Sequence, residues 1–297
     1  MIDYRKYLRP EYVSTFSSLE IRARMVVEGF IAGLHRSPYH GFSVEFAQHR
    51  QYMPGDELRH LDWKVYGRTD RYHVKQFEEE TNLRAWIVLD ASSSMGYASE
   101  GQVSKFEYGV SLAAAATLLL LRQRDAVGCA VFDTELRSIV PPTSRGSALH
   151  QILGTLAALA PAGGKQTRTI ESLRRLSEQI RRPGLVIVLS DFLDEPQNVI
   201  TSLRSLRHRR SDVLAIQILD PLERSFDFGT DATFRDMETG EEIATQPELV
   251  RRAYREAMDE FTDTIRRGCR EHGIHYALLD TTTPFDIGLA EILRRKN

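Results

Sequence analysis

Cysteine is scarce in this 297-residue chain, with only Cys129 in an apolar run and Cys269 late in an amphipathic one. Neither has a partner at metal-ligand spacing, which excludes a disulfide framework and a cysteine zinc site; two buried thiols fit a reducing compartment. A dominant charge is missing as well. Against 39 Lys and Arg stand 41 Asp and Glu, a net charge of −2, so nothing draws the whole molecule to nucleic acid or to an anionic membrane. Arginines do cluster at Arg181 and Arg182 and at Arg207, Arg209 and Arg210. These positions adjoin expected helix ends, where cations compensate the dipole, and no interleaved aromatics form a base-stacking platform. The longest apolar run, Gly109 to Leu121, spans 13 residues, short of the roughly 20 that cross a bilayer. The charged start MIDYRKYLRPEY lacks the apolar core of a secretory signal, and a cytoplasmic protein is expected. His40, His49, His60 and His73 match no zinc spacing.

What is present is enough apolar residue, 42%, to bury a real core. Character changes near residue 82, giving an expected division into 1–82 and 83–297. In the first part, Leu19, Ile21, Met25, Val26, Phe30 and Leu34 recur at helical spacing, which predicts a helix over about 18–34. Ser37 to Asp70 is aromatic and rich in paired charges without a sustained period. Arg50, Asp56, Arg59, Asp62 and Arg68 can form a hydrogen-bonded network there, with Trp63 and Tyr52 over it. Tyr72 to Phe77 alternate like a strand.

From residue 83 onward, apolar strands alternate with helices. Strands are expected at 86–89, 126–132, 136–140, 185–189, 213–219 and 274–279. The Asp133-Thr134 link is so short that its two strands must pair antiparallel. Ser104-x-x-Glu107 is a capping box for a helix over 105–122, apolar nearly all round and therefore central. Helices are also expected at about 146–159, at Ile170 to Ile180, at 196–206 and after Pro284. A polar hairpin around Thr239-Gly240 interrupts the alternation at about 222–246. Pro247 then opens a helix to about Arg270, with Val250, Tyr254, Ala257, Met258, Phe261 and Ile265 expected inward. This pattern predicts an α/β fold with a doubly wound, mostly parallel six-stranded sheet, preceded by an N-terminal helix and an irregular subdomain.

Trp86 to Leu89 run straight into Asp90, Ser92 and Ser94, a D-x-S-x-S pattern closed by Gly96. Side-chain oxygens at alternate positions leaving a strand tip can converge on one point, and hard oxygen donors suit Mg²⁺ or Mn²⁺. Serines in such a place also serve as helix caps and turn formers. Asp191 follows a second wholly apolar strand. In doubly wound sheets ligands bind beyond the strands' carboxyl ends, so Asp90 and Asp191 meet if their strands are neighbours. Asp125, Asp133 and Asp220 read as turn formers.

With these residues, the carboxyl-terminal part resembles a von Willebrand factor type A domain. That resemblance implies strand order 3-2-1-4-5-6 with residues 136–140 as the antiparallel edge. It also implies a metal-ion-dependent adhesion site of Asp90, Ser92, Ser94, a middle-loop threonine and Asp191. The threonine maps to Thr167 in GGKQT, with Thr169 as competitor. The upstream segment EFAQHRQYMPGDELRHLDWKVYGRTDRYHVKQFEEE is similar to the signature of the DUF58 family, over roughly residues 35–295. The family resemblance implies no assigned enzymatic activity and a partnership with a MoxR-type AAA+ ATPase in chaperone-like maturation. A partner's Asp or Glu would complete the metal's coordination. No histidine, cysteine or lysine is expected at the site as base or nucleophile, so a binding module is expected rather than an enzyme. The alternative is a Mg²⁺-dependent hydrolase in which Asp90 or Asp191 activates water, with only Lys165 and Arg168 nearby as a clamp.

Overall fold

The computed structural model describes residues 8–34, 50–51, 66–67, 72–74, 83–161, 169–207, 210–229, 232–235 and 242–296. In chain order the first elements are α1 (Pro10–Val13), α2 (Leu19–Leu34), β1 (Arg50–Gln51), β2 (His73–Val74), β3 (Arg84–Asp90) and α3 (Lys105–Arg122). Then come β4 (Ala126–Phe132), β5 (Leu136–Thr143), α4 (Ala148–Ala157), α5 (Thr169–Gln179), β6 (Leu185–Ser190), α6 (Pro196–Arg207) and β7 (Asp212–Leu219). The last are α7 (Pro221–Ser225), β8 (Ala232–Arg235), β9 (Glu242–Thr245), α8 (Pro247–Glu271), β10 (His275–Asp280) and α9 (Phe285–Lys296). No helix among the described residues is long and apolar enough to cross a membrane.

Two compact units emerge, one of residues 34–81 and one of all the rest. In the smaller unit β1 pairs antiparallel with β2, Arg50 opposite Val74, and Tyr66 stacks on Tyr72 at 4.5 Å. The network expected around Asp56, Arg59, Asp62 and Arg68 lies outside the described residues. α2, placed on sequence grounds with that segment, groups instead with the sheet. It buries Val26, Val27 and Phe30, and ion pairs from Arg22 to Glu107 (3.8 Å) and from Glu28 to Arg122 (4.0 Å) run to α3.

The larger unit is built on one six-stranded sheet in the order β10-β7-β6-β3-β4-β5. Every neighbouring pair is parallel except β4 with β5. Renumbered within the sheet, this is the 3-2-1-4-5-6 order. Burial on both faces explains why β3 and β6 read as unbroken apolar runs. Trp86 and Val88 join Leu173, Leu176, Val199 and Leu203 in the core beneath α5 and α6. Ile87 and Leu89 alternate to the other face, and both are fully buried. Each such aliphatic side chain contributes about 1.5–3 kcal/mol.

α3 lies directly on that second face, where a side chain at Gly109 would come within 2.9 Å of Leu89 Cδ1. Glycine there lets the helix axis approach the strand, and the helix is buried from Lys105 through Leu120 with Glu107 the exception. β5 runs on to Thr143, past Pro141 and Pro142. As the edge strand it has one side without ladder bonds, so a residue lacking N–H is tolerated.

α8 departs from expectation. Its carboxyl half is core: Ile265 and Cys269 are fully buried, and a side chain at Gly268 would strike Ile200 of α6 at 2.2 Å. Its amino half is not. Val250 and Ala257 are exposed, and Tyr254, Met258 and Phe261 are half-buried. The hairpin at 222–246 is also less polar than expected on its inner side. Phe226 stacks on Tyr254 at 4.1 Å and on Phe234 at 5.0 Å, pinning β8 to α8.

Candidate functional site

β3 and β6 are neighbours, with Leu89 opposite Leu189, so their acidic tips emerge side by side. Ser190 Oγ donates to Asp90 Oδ2 at 2.5 Å, and the Ser92 N–H donates to Asp90 Oδ1 at 2.8 Å. A 3-10 turn over Ser93–Gly96 folds the serine loop back, leaving the Ser92 and Ser94 hydroxyls 3.1 Å apart. Asp90, Ser92 and Asp191 are buried, and Ser94 is half-buried. Burial, and after it the charge of Asp191, push the Asp90 carboxyl up to about 7, against the hydrogen bonds from Ser190 and Ser92. Two carboxylates held this way favour a nearby cation.

One cation is built in, a lysine that the sequence does not point to at this site. Lys105 opens α3 just after Ser104, whose hydroxyl accepts the Glu107 N–H at 3.1 Å. Its side chain is fully buried, and Nζ donates to Asp191 Oδ2 at 2.9 Å and to Glu223 Oε1 at 2.7 Å. Burial opposes its charge, but the two carboxylates outweigh that and hold the ammonium above its ordinary pKa. The one signal in the sequence is position: a lysine one residue inside a helix that is otherwise apolar nearly all round.

Glu223 is positioned in turn by Asp220. The Asp220 N–H donates to Glu223 Oε2 at 3.2 Å, and Asp220 caps α7 by accepting the Leu222 N–H at 2.8 Å. The Ser99 N–H and hydroxyl both donate to Asp220 Oδ2 at 2.9 Å. Asp220 is therefore more than a turn former, since it ties the serine loop to the end of β7. Gln217, fully buried in β7, donates to the Asp191 carbonyl at 2.7 Å and accepts from the Tyr276 hydroxyl at 2.5 Å. The backbone carrying Asp191 is thus propped from below. Asp133 does make the expected turn, accepting the Glu135 N–H at 3.0 Å.

Thr167, Lys165 and Arg168 lie outside the described residues, as does the side chain of Thr169, the first residue of α5. Among the described residues no three His, Cys, Asp or Glu side chains form a metal cage. The donor set is two hydroxyls and two carboxylates. The Leu193 N–H at 3.2 Å takes up part of Asp191 Oδ1, and Lys105 takes part of Oδ2, yet each carboxylate oxygen retains a lone pair. Such an all-oxygen set fits a hard divalent cation that keeps several waters.

The sheet order and the serine loop beyond its central strand define a von Willebrand factor type A class of fold. Within that class the chain belongs to the family described as "protein of unknown function DUF58", whose profile matches residues 48–263. It is 31% identical over 268 residues to uncharacterized proteins of Mycobacterium bovis and Mycobacterium tuberculosis, covering 88% of this chain and 83% of theirs. Among solved structures it is similar to the conserved hypothetical protein BatB of Bacteroides thetaiotaomicron, at 18% identity and a TM-score of 0.49 over 72% of this chain and 98% of that one. The vWF domain of the type V pili tip protein Mfa5 of Porphyromonas gingivalis matches at 10% identity and a TM-score of 0.37, over 71% and 94%. Strand order, not these superpositions, carries the fold assignment.

Proposed function

We propose that this protein is a non-enzymatic, metal-dependent interaction module that works with a MoxR-type AAA+ ATPase in chaperone-like maturation of proteins or complexes in the cytoplasm. The observation that carries this reading is the meeting of Asp90, Ser92, Ser94 and Asp191 at the paired tips of β3 and β6. Ser92 and Ser94 would hold Mg²⁺ or Mn²⁺ through their hydroxyls, with Thr167 or Thr169 added from the α4–α5 loop. Asp90 and Asp191 would balance its charge, directly or through bound water. The bound ion would supply an open coordination position for a partner's Asp or Glu. Membership of the family supports the ATPase partnership.

The hydrolase alternative gains little from Lys105. That ammonium is fully buried and committed to Asp191 and Glu223, so it serves neither as base nor as a clamp on a phosphate. The test has two parts. Calorimetric titration with Mg²⁺ and Mn²⁺ is expected to give heat in the native chain and none in Asp90→Asn. Recovery of the ATPase on immobilised protein is expected to fall in EDTA; equal recovery with and without chelator overturns the metal-dependent reading. Metal-dependent phosphoester turnover that disappears in Asp90→Asn would establish the hydrolase instead.

A further inference from the structure

Beside the serine loop lies a cavity of about 780 Å³ whose wall includes Ser94 and Tyr97 on one side and Phe226, Phe234, Ile243 and Tyr254 on the other. Leu193 and Tyr254 are shared with a second, adjoining cavity of about 400 Å³ along α8, lined also by Met258 and Phe261. The two form one groove. It starts at Ser94, passes Leu193, which follows Asp191 by two residues, and runs along the half of α8 that was expected to be core. Part of its apolar lining stays open to solvent, with Leu193 42% and Ile243 66% exposed, while Phe226 is buried and Tyr254, Met258 and Phe261 are half-buried. Aromatic and aliphatic side chains converging on an open pocket of this size mark a place where another molecule's apolar group is buried.

Charge says which kind of molecule. Arg235 lines the same cavity and forms no ion pair among the described residues, whereas Glu223, the acid in its wall, is held by Lys105, which it shares with Asp191. Asp194 lines the smaller cavity, so the fixed charges of the groove do not by themselves favour an acid; the pull on a carboxylate is local, from Arg235 and from a divalent ion on Ser92 and Ser94. A cavity of 780 Å³ is roughly 11 Å across, the reach of about three extended residues.

We propose that this groove receives a partner segment in which an Asp or Glu lies within about three residues of a bulky apolar side chain, the carboxylate at the serine loop and the apolar group among Phe226, Phe234, Ile243 and Tyr254. This rests on the metal-dependent reading above and adds the specificity that a bare ion lacks. A metal ion accepts any carboxylate; the aromatic wall selects which carboxylate-bearing segments stay bound.

The test is a random-peptide phage library panned on the full chain in Mg²⁺, followed by fluorescence anisotropy of the enriched peptides. The expected result is enrichment of an acid near Phe, Leu, Ile or Met, and about tenfold weaker binding to Ile243→Asp and Arg235→Ser. Both changed residues are exposed, and an unchanged melting temperature confirms that the variants fold. Peptides that bind through an acid, are lost in EDTA and ignore both variants would overturn the groove while leaving the metal reading intact. Apolar-selective peptides lost in Ile243→Asp but indifferent to EDTA would uphold the groove and overturn the metal reading. Enrichment of apolar peptides without acids would overturn the pairing and mark a purely apolar ligand site, and no enrichment at all overturns the proposal outright.

Discussion

Two regions on either side of Leu193 break the usual rule of burial in opposite ways. At the tips of β3 and β6 the molecule buries charge: Asp90, Asp191 and Lys105 are all nearly inaccessible. Along the first half of α8 it exposes apolar side chains that its own periodicity marks as an inward stripe. Buried ionic groups contribute little net stability, and exposed apolar ones contribute none until something covers them. Neither region is explained by the needs of folding, whereas the second half of α8, with Ile265 and Cys269 fully buried, is. The same helix therefore separates scaffold from surface within about two turns.

The largest expected effect breaks the charged side of this comparison. Lys105→Met leaves the buried Asp191 and the half-buried Glu223 without a counter-charge, and removing one partner of a buried ion pair costs about 3–5 kcal/mol, read as a lower denaturant midpoint. Adding Asp191→Asn and Glu223→Gln to that variant removes the uncompensated charge and is expected to restore most of the loss. If the triple variant stays as unstable as the single one, Lys105 contributes by packing and not by charge. Ile265→Ala is the scaffold control: it deletes buried methyl groups for about 2–5 kcal/mol and leaves peptide and metal binding unchanged in whatever fraction remains folded.

This contrast also marks where the sequence is legible. Period-2 and unbroken apolar runs located all six strands, and an aspartate at the end of two of them was enough to bring Asp90 and Asp191 together, because neighbouring parallel strands place their tips side by side. Lys105 was not legible. A lysine in a first helical turn normally projects into solvent, and nothing local reveals that Asp191, 86 residues later, returns to meet it. The exposed stripe of α8 failed for a related reason. Periodicity shows which residues share a face, but only the paths of the other elements decide whether that face is covered. Residues 34–81 carry the family signature, and most of them lie outside the described structure.

A smaller effect is expected where the apolar side of the comparison is changed. Val250 is 39% exposed and lines the groove, so Val250→Ser is expected to alter stability by no more than about 0.5 kcal/mol. Peptide affinity in the panning assay is expected to fall several-fold in the same variant. A stability loss as large as that of Ile265→Ala would mean that the amino half of α8 is covered in solution, and the two halves of the helix would no longer differ.

The smallest effect uses the two thiols as reporters. Cys129 in β4 and Cys269 in the closed half of α8 are both free and buried, and burial pushes each thiol up to about 12. Below an ordinary thiol pKa both states hold their protons. As pH rises from 9 towards 12 the unfolded chain ionises first, so this contribution to folding is lost on the alkaline side. At neutral pH neither native thiol is expected to react with DTNB, since only the exposed thiolate attacks. In rising denaturant both should react together, at the global transition. If Cys269 reacts well before Cys129, α8 opens from its exposed half while the sheet stays intact. The boundary between scaffold and docking face would then lie further along the helix than Ile265.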